Sequence, residues 1–393
     1  MIAAYLSDIV ILLIAAVVIV PLFQLARLGA VPGFLVAGVV VGPSGLAAID
    51  NVSEISYLAE IGVVLLLFVI GIELKPSRLW LMRRQVFGLG SAQVVLTGAA
   101  LAALGLFLFG MPPSTAILVG PALALSSTAF VLQILASQKL LTTQYGRASI
   151  SILLLQDLAV VPLLALIPLL AARGVNIGAD VGLALLESVA ILALVVIAGR
   201  YLLHPLLHRV ARAGSPEVFT ASAVLIVLGA AMATEHAGLS MAMGAFLAGL
   251  LISESAYRHQ VIAEIQPFRG LLLGLFFMSM GMSFNLGLLL AAPIGAILLT
   301  ASLIALKALI LLPLTRLFGL SWRPALAVAL LLAQSGEFAL VLFALASQDG
   351  LLSEQMFQKL LLVVLLSMMV TPVLAYLARR LVAIPHLAAT EHG

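Results

Sequence analysis

Two short stretches set ionisable side chains in the middle of long apolar runs. Gln156-Asp157 lies near the centre of a segment spanning roughly 143–171, and Ser335-Gly336-Glu337 near the centre of one spanning roughly 323–347. Most of the 16 acidic residues fall in connections or at segment ends; Asp157 and Glu337 fall mid-segment. A carboxylate at that depth costs roughly 2.5–3.5 kcal/mol on membrane-insertion scales, so its presence needs a reason. Burial disfavours the bare carboxylate, so a proton or a cation must neutralise it. Binding the two in turn at Asp157 would couple their movements without any covalent step. The groups placed to coordinate a cation beside it are the Gln156 amide oxygen and the hydroxyls of Ser126, Ser127 and Thr128. Glu337, with Ser335, either lines the same cavity or only holds a broken helix. Lys307, in Ala305-Leu306-Lys307-Ala308, is the basic residue deepest inside an apolar segment. It pairs with a carboxylate, caps unwound carbonyls, or titrates.

The elements that must position these groups are membrane helices. Of 393 residues, 64% are hydrophobic and 9% charged, against about 25% charge in a soluble domain. Each spanning helix needs about 20 apolar residues. Thirteen segments satisfy the pattern: roughly 6–26, 31–43, 57–74, 84–110, 114–136, 143–171, 181–205, 216–234, 239–254, 266–283, 287–317, 323–347 and 356–380. Their connections alternate in charge. Arg27; Lys75, Arg78, Arg83 and Arg84; Lys139 and Arg147; Arg209 and Arg212; Arg258; Arg316 and Arg323; and Arg379 and Arg380 fall on one side, Arg173 and Lys359 on the other. The positive-inside rule makes the first side cytoplasmic, so the N-terminus is expected outside and the C-terminus inside. The start of the chain has no basic region and cleavage site of the signal-peptide kind, so its first apolar segment is expected to be retained. The net charge of +3 forms no stripe suited to nucleic acid, and without cysteine there is no disulfide or thiolate metal site. No cofactor is expected in this chain, and the partner expected from its apolar surface is lipid.

The two halves repeat at an offset near 210. Gly33-Phe34-Leu35-Val36-Ala37-Gly38 returns as Gly244-Ala245-Phe246-Leu247-Ala248-Gly249, and Phe68-Val69-Ile70-Gly71 as Met278-Ser279-Met280-Gly281. Ala136-Ser137-Gln138 returns as Ala346-Ser347-Gln348, and Val161-Pro162 as Thr371-Pro372. Repeat 1 is 1–171, a linking helix 181–205, repeat 2 216–380, within an exchanger domain of 1–383 and a tail of 384–393. Six spans per repeat with one between place the repeats in opposite orientations, an arrangement of secondary transporters. Ala124-Leu125-Ser126-Ser127-Thr128 aligns with Ala333-Gln334-Ser335-Gly336-Glu337. Small and hydroxyl residues there let the backbone unwind and free its carbonyls, which only a protein-lined cavity tolerates. The fold expected is all-α, with inverted six-helix repeats and crossed discontinuous helices. Gln156-Asp157 aligns with Leu366-Ser367, so the acid stands in one repeat only.

At these residues the chain resembles the bacterial potassium efflux antiporters of the Kef type, within the monovalent cation:proton antiporter superfamily. The likeness is carried by Ala59-Glu60-Ile61-Gly62-Val63-Val64-Leu65, Ile70-Gly71-Ile72-Glu73-Leu74, Ala124-Leu125-Ser126-Ser127-Thr128-Ala129, Leu155-Gln156-Asp157, Gly270-Leu271-Leu272-Leu273-Gly274-Leu275-Phe276-Phe277 and Ser335-Gly336-Glu337-Phe338-Ala339. The resemblance implies a thirteen-helix antiporter in the bacterial inner membrane, a homodimer, and elevator-like motion of a core against a dimer domain. It implies ion-site roles for Gln156, Asp157, the Ser126–Thr128 break and Lys307. Gln-Asp where sodium antiporters of the superfamily carry Asp-Asp points to potassium; sodium/proton exchange and a channel-like potassium pathway are the alternatives. Kef-type relatives continue into a cytoplasmic nucleotide-binding domain that senses glutathione adducts, whereas this sequence stops soon after Arg380. Nucleotide or glutathione would enter only through such a domain or subunit. The connection His259–Pro267 carries one acid where gated relatives carry several, which weighs against glutathione gating. A channel would need a filter, and no Thr-Val-Gly-Tyr-Gly run occurs. An intramembrane protease would need facing carboxylates or His-Glu-x-x-His, so the chain is not expected to be an enzyme.

Overall fold

The computed structural model describes residues 2–49, 52–73, 83–137, 139–171, 197, 201, 208–210, 212, 215–236, 241–253 and 255–383. Among these residues the chain is helical, without a strand. The first half comprises α1 (Ile2–Leu25), α2 (Ala30–Val41), α3 (Val52–Glu73), α4 (Ser91–Phe107), α5 (Pro113–Ala124), α6 (Thr128–Ser137) and α7 (Gln144–Ala171). A π-wound stretch, Arg84–Gly90, leads into α4. The second half comprises α8 (Pro216–His236), α9 (Met241–Ile252), α10 (Arg258–Met282), α11 (Leu286–Ala291), α12 (Pro293–Leu317), α13 (Trp322–Leu331), α14 (Glu337–Gln348) and α15 (Glu354–Ala383). Each expected span has its helix except 181–205, which lies almost wholly outside the described residues, as does the tail 384–393. The two largest extensions at helix starts are α3, at Val52 rather than 57, and α10, at Arg258 rather than 266. Their first turns are polar, and a hydropathy window registers only the apolar part of a helix.

The expected breaks are present. The segment 114–136 is two helices, α5 and α6, separated by Leu125–Ser127, and 323–347 is two, α13 and α14, separated by Leu332–Gly336. Seven of the described helices are individually long and apolar enough to cross a membrane. Large apolar side chains point outward along them, as on Val17, Leu25, Leu309 and Leu317, which are 69–82% exposed. In water such a surface would aggregate; in a bilayer it is the solvated face.

The chain forms two compact units. The first joins Met1–Val17, Phe34–Trp80 and Leu164–Ser283. Its core includes Phe68, Ile72, Phe219, Val227, Val261 and Ile265, all buried. Here the repeat seen in the sequence becomes contact geometry. A side chain at Gly38 of α2 would strike the Met278 carbonyl of α10, and one at Gly281 of α10 would strike the Leu35 carbonyl of α2. At the repeat-related crossing, Gly249 of α9 meets the Phe68 carbonyl of α3, and Gly71 of α3 meets that of Phe246. The matched Gly-Phe-Leu-Val-Ala-Gly and Phe-Val-Ile-Gly motifs are therefore the two faces of one crossing, made twice. Small residues let membrane helices approach to backbone contact, where packing and weak polar contacts replace the hydrophobic drive.

The second unit joins Val18–Gly33, Leu81–Leu163 and Phe284–Gly393. It holds both broken helices, α4, α12, most of α7, and α15. Its core, including Val131, Leu135, Ile152, Leu153, Leu311, Val328, Leu331 and Leu332, fixes the helices that carry the polar groups.

Candidate functional site

The two unwound stretches cross in contact. The Gly336 N–H donates to the Leu125 carbonyl (3.0 Å), and the Ser126 hydroxyl donates to that of Leu332 (2.8 Å). The Ser127 N–H donates to Gln334 Oε1 (3.1 Å), and the Ser335 hydroxyl to the Leu123 carbonyl (3.2 Å). Glycine is required at 336, because a Cβ there would lie 2.6 Å from the Ser126 carbonyl carbon and the Ser127 nitrogen. Each break stitches the other.

Four helix ends meet here, which organises the charges. The C-termini of α5 and α13 present carbonyls that their own helices leave without a partner; the N-termini of α6 and α14 present N–H groups. Lys307, fully buried in α12, serves the carbonyl side. Its ammonium donates to the carbonyls of Gln334 (2.6 Å), Leu123 (3.1 Å) and Leu125 (3.3 Å) and to Ser126 Oγ (3.2 Å). Of the three roles open to it from sequence, the geometry displays the capping one. The carboxylates sit at the other ends. Asp157 Oδ1 accepts from the hydroxyl of Thr128, the first residue of α6, at 2.7 Å, and Glu337 is the first residue of α14. Both acids are buried, 9% and 8% exposed.

Gln156, beside Asp157 on α7, is tied at both ends of its amide. Its Oε1 accepts from the Ser126 N–H (2.8 Å); its Nε2 donates to Gln93 Oε1 of α4 (2.7 Å) and to the Ala124 carbonyl (3.3 Å). Gln93 in turn donates to the Ala124 carbonyl (3.2 Å) and to Thr97 Oγ1 (3.4 Å). The carbonyls of Leu123, Ala124 and Leu125 thus each receive two protein donors, which fills both lone pairs. From sequence the breaks are expected to free carbonyls into a cavity; in this conformation the protein itself occupies these three.

In the second repeat the task of Gln156 falls to a smaller group, at the position aligned with Asp157. Ser367 Oγ of α15 accepts from the Ser335 N–H (3.1 Å) while donating to Val364 of its own helix (2.8 Å). Beside the crossing, a cavity of about 120 Å3 is lined by Ser127, Gln133, Gln334 and Thr371 together with the turn Leu28–Pro32. It has room for a few waters.

The structure therefore brings Gln156, Ser126, Ser127, Lys307 and Ser335 into one hydrogen-bonded network, with the Thr128–Asp157 pair next along the chain and Glu337 at the head of α14. Gln93, Thr97 and Gln334 belong to it without having been singled out as site residues. The sequence marks Gln93 only as an amide within an apolar span, with no spacing to tie it to Gln156. Among the described residues no group of acids and histidines is arranged to hold a multivalent metal.

An apolar helical scaffold with crossed, unwound helices and a carboxylate beside them defines a membrane-embedded ion transporter. The chain belongs to the sodium/hydrogen exchanger family: the model of that family's transmembrane part matches residues 10–376. It is a multi-pass membrane protein of the monovalent cation:proton antiporter superfamily, a family of transporters. Its fold is similar to that of the sodium proton antiporter MjNhaP1 from Methanocaldococcus jannaschii, solved at pH 8. The TM-score is 0.69 at 16% identity, over 95% of this chain and 97% of that one.

Proposed function

We propose that this chain exchanges potassium for protons across a bacterial inner membrane, with Asp157 as the group that carries each in turn. The observation that carries the reading is the Asp157 carboxylate, buried and held by Thr128 at the head of α6, beside the crossing of the two unwound stretches. A cation at Asp157 is coordinated by the carboxylate, the Thr128 hydroxyl and water, with Gln156 holding Ser126 in place. Proton and cation exclude one another there. Each neutralises the site, and the neutral forms cross between two conformations of similar energy. The cavity beside Ser127 and Gln334 supplies water on the cytoplasmic side, given the basic residue Arg27 in the adjoining turn. Two copies form the working unit, each with its N-terminus outside and its C-terminus in the cytoplasm.

Potassium is favoured by an uncharged Gln156 beside a single acid, which leaves a low-charge site suited to a weakly hydrated ion. Sodium is the second reading, favoured by the description of the family and by the sodium proton antiporter that shares the fold. Purified protein in liposomes with a trapped pH dye separates them: potassium, sodium and rubidium gradients are applied in turn. Dequenching strongest with potassium and rubidium supports the proposal, a sodium-only response selects the second reading, and no cation-coupled response rejects both.

A further inference from the structure

We propose that Gln93 is a positioning residue for the ion site: it fixes which way the Gln156 amide points, and through it the backbone that carries Thr128 to Asp157. The inference rests on the cation/proton exchange reading above.

The two repeats hold equivalent N–H groups by different means. In the second, Ser367 accepts from the Ser335 N–H. A hydroxyl donates and accepts at one atom and rotates to suit, so it needs no external orientation. In the first, the same task falls to Gln156, whose oxygen must face the Ser126 N–H. An amide has distinct ends. Reversed, its NH2 would face a donor at Ser126 while its oxygen faced the Ala124 carbonyl, leaving buried polar groups unpaired with their full desolvation penalty.

Gln93 removes that ambiguity. Its oxygen takes the Gln156 NH2 at 2.7 Å, the shortest bond in the chain of amides. Its own orientation is set because its NH2 serves the Ala124 carbonyl and Thr97. The direction of donation therefore runs from Gln93 to the Ala124 carbonyl, from Gln156 to Gln93, and from the Ser126 N–H to Gln156. All of these side chains are buried. The repeat partner of Gln93 at the offset of 210 is Leu303, which is buried and apolar. Only the repeat that carries the acid has the orienting amide. Ser126 lies two residues before Thr128, whose hydroxyl bonds the Asp157 carboxylate. A loosened Ser126 thus moves the ligand pair, while the Lys307 contacts to Leu123 and Gln334 remain.

The test uses the whole protein in liposomes and compares wild type with Gln93→Leu and Gln93→Glu. Gln93→Leu is expected to raise the apparent KM for the transported cation about tenfold, the equivalent of one neutral hydrogen bond, with a smaller change in maximal rate. Gln93→Glu keeps the acceptor for Gln156 but, ionised, cannot donate to Ala124; protonated, it regains one donor. Its rate relative to wild type is expected to rise as pH falls, a rescue that a packing role would not produce. Combined with Gln156→Leu, Gln93→Leu is expected to add little, because both act on one chain of bonds. Wild-type KM in folded Gln93→Leu, or a relative rate of Gln93→Glu that is flat with pH, overturns the proposal. If Gln93→Leu fails to fold, the Gln93→Glu profile alone decides. Absence of exchange in the wild type would instead overturn the function on which the inference rests.

Discussion

Replacing Lys307 tests the physical reading of the crossing. In Lys307→Met the side chain keeps its length and loses its three donors. Leu123 and Leu125 keep a second donor each, from Ser335 and Gly336, and Ser126 keeps its bond to Leu332. The Gln334 carbonyl, whose contact to Lys307 is the shortest at 2.6 Å, is left open. One orphaned buried carbonyl costs about 1–3 kcal/mol, and two helix C-termini lose a cation worth up to about 2 kcal/mol in partly buried settings. Against this, the variant no longer buries an ammonium, whose effective desolvation penalty is several kcal/mol. Because that ammonium is already solvated by four protein acceptors, most of its penalty is offset in the native state, and the orphaned carbonyl decides the sign. The expected net loss is about 1–3 kcal/mol, a fall in Tm on the order of 2 °C for a chain of 393 residues by the usual size scaling. Lys307→Gln, which can still donate to Gln334, should recover about half. The assay is thermal unfolding of purified protein in one detergent, followed by fluorescence. A Lys307→Met variant as stable as wild type would show that the lysine does not brace the crossing.

Other outcomes follow from the same geometry. Thr128→Val removes the hydroxyl from Asp157 and should weaken cation affinity roughly 10- to 100-fold in liposome exchange, one hydrogen bond to a charged group being worth about 1.5–3 kcal/mol; Thr128→Ser should restore it. In the cysteine-free background, Asn51→Cys should react with an impermeant thiol reagent in intact cells while a cysteine added at the C-terminus stays protected; the reverse pattern overturns the topology. With Asp157 the single carrier and Lys307 engaged in capping throughout, exchange should be one cation for one proton. The null-flux condition in voltage-clamped liposomes should then not move with potential, and movement abolished by Lys307→Gln would make the lysine a second proton carrier.

Much of this was legible from residue types alone. Apolar runs and the charge of their connections marked the helices, and Ser126–Thr128 and Ser335–Glu337 marked the breaks, because small and hydroxyl residues there give no reason to stay helical in lipid. The glycine motifs gave the repeat, though not that each glycine packs on the other motif's carbonyl; two crossings of one kind are a three-dimensional fact. The destinations of the side chains were less visible. Lys307 could have met a carboxylate, and only the convergence of the α5 and α13 C-termini explains why it meets carbonyls. Gln156 read as a cation ligand because it adjoins Asp157; successive positions on a helix diverge by about 100°, so the two face different neighbours. Gln93 was missed because a lone amide carries no spacing signal until its partner on α7 is placed beside it.

The central claim is that one carboxylate carries proton and cation in turn. Asp157→Asn keeps the shape and the acceptor for Thr128 while removing the charge, so the folded state should survive. Exchange is measured in liposomes containing purified Asp157→Asn protein whose unfolding profile matches wild type. The account predicts no cation-coupled proton movement with potassium, sodium or rubidium at any pH. Exchange at wild-type rates in that folded variant would contradict it.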